Sequence, residues 1–210
     1  MGRRFVAERR RDPYYRAAQR EGLRSRAAYK LEYLDQRFRL LRPGFRVLDL
    51  GAAPGGWSLV AAAAVGARGD VVAVDLRSLE PIAGVRTVRG RVGDAGLASR
   101  LGSAPFDLVL SDLSPRISGA YATDHARSVA LAREGFALAR SVLAVGGSFV
   151  AKVFDGDLVE GLAQELAAVF ERVQRTKPPA SREASSELYL VARGFRGRPG
   201  EVPPARGSAI

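Results

Sequence analysis

The chain has 210 residues, 47% hydrophobic and 26% charged, enough to bury one core and compatible with a single domain. Its 33 Lys and Arg against 22 Asp and Glu give a formal net charge of +11, which makes a polyanion the first partner to consider. The absence of Cys excludes disulfides, thiolate metal sites and cysteine nucleophiles, and one His (His125) argues against a histidine-built metal site. The longest apolar run, Leu59 to Val65, is far too short to span a bilayer. The Arg-rich N-terminus has no apolar segment behind it, so it does not read as a secretory signal, and a soluble, cytoplasmic and monomeric protein is expected.

The charge is segregated. Residues 1–46 carry a net +9, residues 47–192 a net −1 and residues 193–210 a net +3. A near-neutral body over residues 25–195 is thus expected between a basic arm, 1–24, and a Gly-, Pro- and Arg-rich tail, 196–210. The N-terminal stretch interleaves Arg with Tyr14, Tyr15, Tyr29 and Tyr33, a composition suited to phosphate contact and base stacking. Of the basic residues 30 are Arg and three are Lys, at positions 30, 152 and 177. Lysine differs from arginine in being able to lose its proton and act as a base, so each of these positions is a candidate for chemistry.

In chain order, Ser25 can cap a helix whose apolar stripe runs through Leu31, Leu34, Phe38 and Leu41 and ends at Pro43-Gly44, with Lys30 beside the stripe. Short apolar runs then alternate with helical segments: FRVLDL, a helix over 56–65, DVVAVD, VRTVRG, FDLVLSD, a helix over 124–143, GSFVAKVF, a helix over 158–170, and ELYLVA. The alternation predicts a doubly wound, mostly parallel α/β sheet. In such sheets ligands sit beyond the carboxyl ends of the strands, which directs attention to Asp49, Asp75, Asp112 and Lys152.

The segment VLDLGAAPGGWS is a strand, a glycine-rich turn and the start of a helix, in which Gly51, Gly55 and Gly56 allow close approach of a ligand to backbone. It matches neither the phosphate-binding loop of nucleotide hydrolases nor the G-x-G-x-x-G dinucleotide pattern, so a nicotinamide dehydrogenase is disfavoured. Asp75 can accept both hydroxyls of a ribose or cap the next helix, and Asp94 can reach an adenine amino group or merely form a Gly-Asp turn. Lys152 is enclosed by Phe149, Val150, Ala151, Val153 and Phe154, where an ammonium needs a partner or must give up its proton. Glu187 opens the last strand on the same face as Tyr189 and Val191. Two lysines and two carboxylates can satisfy one another in a crevice, and a desolvated lysine there becomes a base for an alcohol.

The segments LRSRAAYKL, DLGAAPGGWS, VVAVDL, SDLSP followed by SG, DHARS, GSFVAKVF and KPPASREASSELYLVA together resemble the heat-shock-associated FtsJ family of ribosomal RNA 2′-O-methyltransferases, over roughly residues 12–195. The resemblance implies a Rossmann-like S-adenosylmethionine-dependent methyltransferase fold of seven strands with the last antiparallel. It implies a catalytic tetrad of Lys30, Asp112, Lys152 and Glu187, with Lys152 taking the proton from a ribose 2′-hydroxyl. The cofactor positions it implies are Gly55, Trp57, Asp75, Asp94 and Asp112, with S-adenosylmethionine as cofactor; Gly51 joins them from the glycine-rich turn, and the composition leaves no metal expected. The substrate implied is a uridine of large-subunit (23S) rRNA, within the large ribosomal subunit, with the basic arm as the grip on RNA. A tRNA 2′-O-methyltransferase of the same family, or a non-catalytic rRNA-binding assembly factor, are the competing readings. Arg116 stands where many bacterial members have Asn.

Overall fold

A computed structural model describes residues 13–181 and 185–197. Most of the expected tail, and the first half of the expected arm, lie outside those residues. Two helices, α1 (Pro13–Arg20) and α2 (Ala27–Phe38), precede the sheet, followed by β1 (Arg46–Leu50), α3 (Gly56–Val65), β2 (Asp70–Asp75), β3 (Val85–Arg89) and α4 (Leu97–Arg100). The second half runs through β4 (Phe106–Ser111), α5 (Tyr121–Val142), β5 (Leu143–Phe154), α6 (Leu158–Ala167), β6 (Phe170–Thr176) and β7 (Glu187–Phe195). The sheet order is β3-β2-β1-β4-β5-β7-β6, and β7 alone runs antiparallel, to both β5 and β6. The strand order reverses between β1 and β4, which opens a crevice at their carboxyl ends.

Strand alternation sorts the core into two layers. Leu48, Leu50, Val109, Phe149, Ala151, Val153 and Leu190 point to one face, under α5 and α6. Val47, Leu108, Leu110, Val150, Tyr189 and Val191 point to the other, under α2 and α3. By the two-residue period Asp49, Asp112, Lys152 and Glu187 share this second face with their apolar neighbours, and they gather at its carboxyl end. Lys30 joins them from α2, whose buried residues include Leu31, Leu34 and Phe38.

Three expectations need correction. Ser25 does not cap α2 with its side chain, and its hydroxyl is buried without a partner among the described residues. The helix ends at Phe38, with Arg39 in the left-handed region, so Leu41 packs from beyond it. The helix expected over 158–170 stops at Ala167, and Phe170 begins an edge strand whose interior is largely exposed and therefore has little apolar alternation to read. Residues 13–20, inside the stretch read as an arm, form a helix that buries Ala18 and sets Tyr14 against Tyr29. Among the described residues no helix is long and apolar enough to cross a membrane.

Candidate active site

The crevice at the β1–β4 reversal is a cleft of about 610 Å³ whose walls include Gly51, Asp75, Arg91, Asp112, Leu113, Arg116 and Lys152. Gly51 leaves β1 at φ +77°, and a Cβ there would lie 3.1–3.2 Å from Leu113, so both the turn and the closeness of the next loop require glycine. Asp75, at the end of β2, accepts the Ala53 N–H at 2.9 Å on one carboxylate oxygen and the Arg77 N–H at 2.8 Å on the other. Oδ2, the oxygen bonded by Ala53, keeps a second acceptor position for a ribose hydroxyl, while Oδ1 also has the exposed Arg77 Nε 3.6 Å away.

Lys152 enters the cleft from β5 with 6% exposure. Its ammonium lies 2.9 Å from Asp112 Oδ1 and donates to the Asp112 carbonyl at 3.0 Å. Lys30 donates to Glu187 Oε2 at 2.6 Å across the gap between α2 and β7. Tyr189 joins the two pairs: its hydroxyl donates to Asp112 Oδ1 at 3.0 Å, and the Lys30 ammonium stands 5.9 Å from the centre of its ring. The ring is fully buried, and burial, then the charges of Asp112 and Glu187, push the phenol well above its usual range, so it stays a donor. All four residues of the expected tetrad therefore meet in one polar cluster, and Tyr189, which the sequence marks only as a strand neighbour of Glu187, is its centre.

The expected cofactor positions separate. Gly51, Asp75 and Asp112 line the large cleft. Gly55, at φ +105°, faces Ile82 and Arg24, and Asp94 is exposed and accepts the Arg91 N–H at 2.8 Å; neither is among the cleft's lining residues. Trp57 is 2% exposed, packs against Tyr189 and donates its indole N–H to Ala27 at 2.7 Å, which pins α2 to α3. It lines a small chamber of about 30 Å³ with Ser25 and Asp49, and that chamber shares Gly51, Ala53 and Asp112 with the cleft. Asp49 is fully buried there, accepts the Ser58 hydroxyl at 2.6 Å and leaves Oδ1 without a partner among the described residues. Burial pushes its carboxyl up to about 7 against the pull of the Ser58 bond, and the charges of Asp112 and Asp75 push the same way.

The loop from Leu113 to Ala120 carries Arg116 over the cleft and is held by Asp124, a residue sequence reasoning passed over within the DHARS motif. Its carboxylate accepts the Ser118 N–H at 2.9 Å, the Ser118 hydroxyl at 2.8 Å and the Gly119 N–H at 3.0 Å, bonds that hold it below the ordinary carboxylate range. Arg24 ties the chain ahead of α2 to the segment between β2 and β3, donating to the carbonyls of Glu80 at 2.8 Å and Pro81 at 2.7 Å.

The profile of the FtsJ-like methyltransferases matches residues 23–195. A large-subunit ribosomal RNA methyltransferase E of Halobacterium salinarum is 50% identical over 190 residues, 88% of this chain and 73% of the relative. That of Cenarchaeum symbiosum is 46% identical over 89% of this chain and 96% of its own length. The crystal structure of a ribosomal RNA methyltransferase from Plasmodium falciparum superposes with a TM-score of 0.74 at 28% identity, covering 83% of this chain and all of that one. A seven-stranded sheet with β7 reversed agrees with that match, and the chain belongs to the FtsJ-like methyltransferase family.

Proposed function

We propose that the protein methylates the 2′-hydroxyl of a uridine ribose in large-subunit ribosomal RNA, with S-adenosylmethionine as methyl donor. The observation that carries the reading is the cluster in which Asp112 takes both the Lys152 ammonium and the Tyr189 hydroxyl while Lys30 holds Glu187, at the edge of a cleft large enough for a nucleoside-bearing donor. Relatives named for ribosomal RNA methylation at 44–50% identity support the substrate class.

The cleft fits the donor. Asp75 keeps an acceptor position on Oδ2 for a ribose hydroxyl, and Gly51 leaves room for a ligand beside the backbone. S-adenosylmethionine, when bound, would supply a methyl group activated by its sulfonium, the carbon–sulfur bond breaking as the acceptor oxygen bonds to carbon so that a neutral thioether leaves. Lys152 receives the proton of the 2′-hydroxyl as that oxygen forms its bond to carbon, a task lysine performs as the free amine. Asp112 fixes the position of Lys152 through its carboxylate and its carbonyl, and Tyr189 fixes Asp112. Lys30 and Glu187 hold each other where the ribose must lie, with Nζ free to donate a second hydrogen bond. Gly55, Trp57 and Asp94 complete the proposed donor site: Trp57 lines the small chamber that shares Gly51, Ala53 and Asp112 with the cleft, Gly55 shapes the turn beside it, and Asp94 holds the Arg91 backbone at its wall. The basic arm supplies phosphate contacts to the RNA.

The test is transfer of labelled methyl from S-adenosylmethionine to large ribosomal subunits, to their free rRNA and to tRNA. Label on large-subunit rRNA is expected; label confined to tRNA would move the substrate, and donor binding without transfer to any of the three would favour an assembly factor.

A further inference from the structure

The two ion pairs stand between two cavities. Lys152 and Asp112 line the 610 Å³ cleft, while Glu187 lines a second cavity of about 340 Å³ together with Tyr121, Arg175, Thr176, Lys177 and Leu188. The two share no lining residue, and the Lys30–Glu187 and Lys152–Asp112 pairs, joined by Tyr189, form the ground between them. Displacement at a methyl carbon needs the leaving group and the nucleophile on opposite sides, so donor and acceptor must reach the cluster from different directions. The cleft serves one of them, and a second cavity at Glu187 lies where the other can enter.

We propose that the second cavity seats the base of the acceptor nucleotide, with Tyr121 as its stacking surface and Lys177 and Arg175 beside the adjoining phosphates. The proposal rests on the reading of the protein as an RNA ribose methyltransferase. Tyr121 is 61% exposed at the start of α5, yet it is not loose. Its hydroxyl donates to the Asp155 carbonyl, and its ring lies nearly parallel to the His125 imidazole, 10° between planes at 6.2 Å. His125 is in turn buried, with Nδ1 2.9 Å from the Phe154 carbonyl and Nε2 accepting the Leu158 N–H at 3.2 Å. An exposed ring already held in one orientation loses little freedom when a base stacks on it, and stacking tolerates any base. Lys177 spends one donor on the Ser185 carbonyl at 2.8 Å and keeps two for a phosphate. Arg175 pairs with Glu160 on an exposed surface, a contact a phosphate can replace. The volume is within the range of pockets that take small organic ligands.

The experiment compares the wild type with Tyr121→Ala, Tyr121→Leu and Tyr121→Trp on a large-subunit rRNA fragment, and on the same fragment made abasic at the acceptor nucleotide with its 2′-hydroxyl kept. Tyr121→Ala and Tyr121→Leu are expected to raise KM for the intact RNA about tenfold or more, with donor affinity unchanged, and Tyr121→Trp to restore it. On the abasic RNA the wild type should lose affinity to the level of Tyr121→Ala, with no further loss in the variant. A wild-type KM in Tyr121→Ala, or independent losses from the variant and the missing base, would overturn this proposal alone. A wild type that methylates no rRNA would overturn it together with the functional reading on which it rests.

Discussion

Lys152 and Tyr189 face each other across the β5–β7 ladder, and both bond the same carboxylate oxygen, Oδ1 of Asp112. One cross-strand pair and one carboxylate thus set the position of the proposed proton acceptor. Tyr189→Phe keeps the ring against Trp57 and removes only the hydroxyl. A hydrogen bond to a charged group is worth about 1.5–3 kcal/mol, so kcat is expected to fall about tenfold or more while KM for RNA changes little. Steady-state kinetics with melting of the same samples checks this.

Lys152→Arg preserves charge but not the ability to accept a proton, and the longer guanidinium must fit where an ammonium is 6% exposed. Turnover is expected to fall by about 10²–10⁴, as for loss of a general base. Donor affinity, measured by calorimetry, should stay within a few fold. Wild-type turnover in Lys152→Arg would defeat the assignment.

Lys30 and Glu187 are nearly buried, with side chains 9% and 21% exposed. Lys30→Met and Glu187→Gln should each destabilise the fold by about 1–3 kcal/mol, the lower part of that range being favoured by the residual exposure of Glu187. Removing both partners should cost less than the two single losses together, because neither leaves a charge behind. A double-mutant cycle by urea unfolding measures the difference.

Asp49 gives a pH dependence of known sign. The folded carboxyl holds its proton up to about 7, whereas in the unfolded chain it ionises near 3.8, so between those values the folded state binds more protons. The stabilisation is complete below the lower value and is lost as pH rises through the higher one, at up to about 1.4 kcal/mol per unit. Asp49→Asn removes the titration, and its Tm relative to wild type is expected to be higher at pH 8 than at pH 5. A pH-independent Tm difference would show that Asp49 does not titrate in this window.

At Gly51, Gly51→Ala places a Cβ at φ +77° and 3.1–3.2 Å from Leu113. A cost of about 1–3 kcal/mol is expected from the backbone alone. The shift of Leu113 should also weaken donor binding, read by calorimetry as a raised Kd.

The doubly wound sheet and its site strands were legible because β1, β2, β4 and the second half of β5 are buried, mostly apolar runs, ended at or just before Gly51, Asp75, Asp112 and Asp155, with Lys152 set as a charge inside the last of them. β6 was not, since an edge strand with most of its interior exposed has no such pattern. The two lysines stood out as rare exceptions to arginine usage, but which carboxylate each would meet depends on α2 crossing to β7, a contact across 157 residues. Tyr189 carried no signal beyond its alternation with Glu187, because its role comes from facing Lys152 across an antiparallel ladder. Asp49 reads as one more strand-end acid; that it is fully buried, bonded to Ser58 and set in a small chamber adjoining the cleft depends on packing that one strand does not carry.

The most direct test is the chemical position of the transferred methyl. Large-subunit rRNA labelled by the wild type should yield, after alkaline digestion, a labelled dinucleotide resistant to cleavage, as a blocked 2′-oxygen requires, and Lys152→Ala should yield none. Label released on a base, or a resistant dinucleotide still formed by Lys152→Ala, would contradict the account.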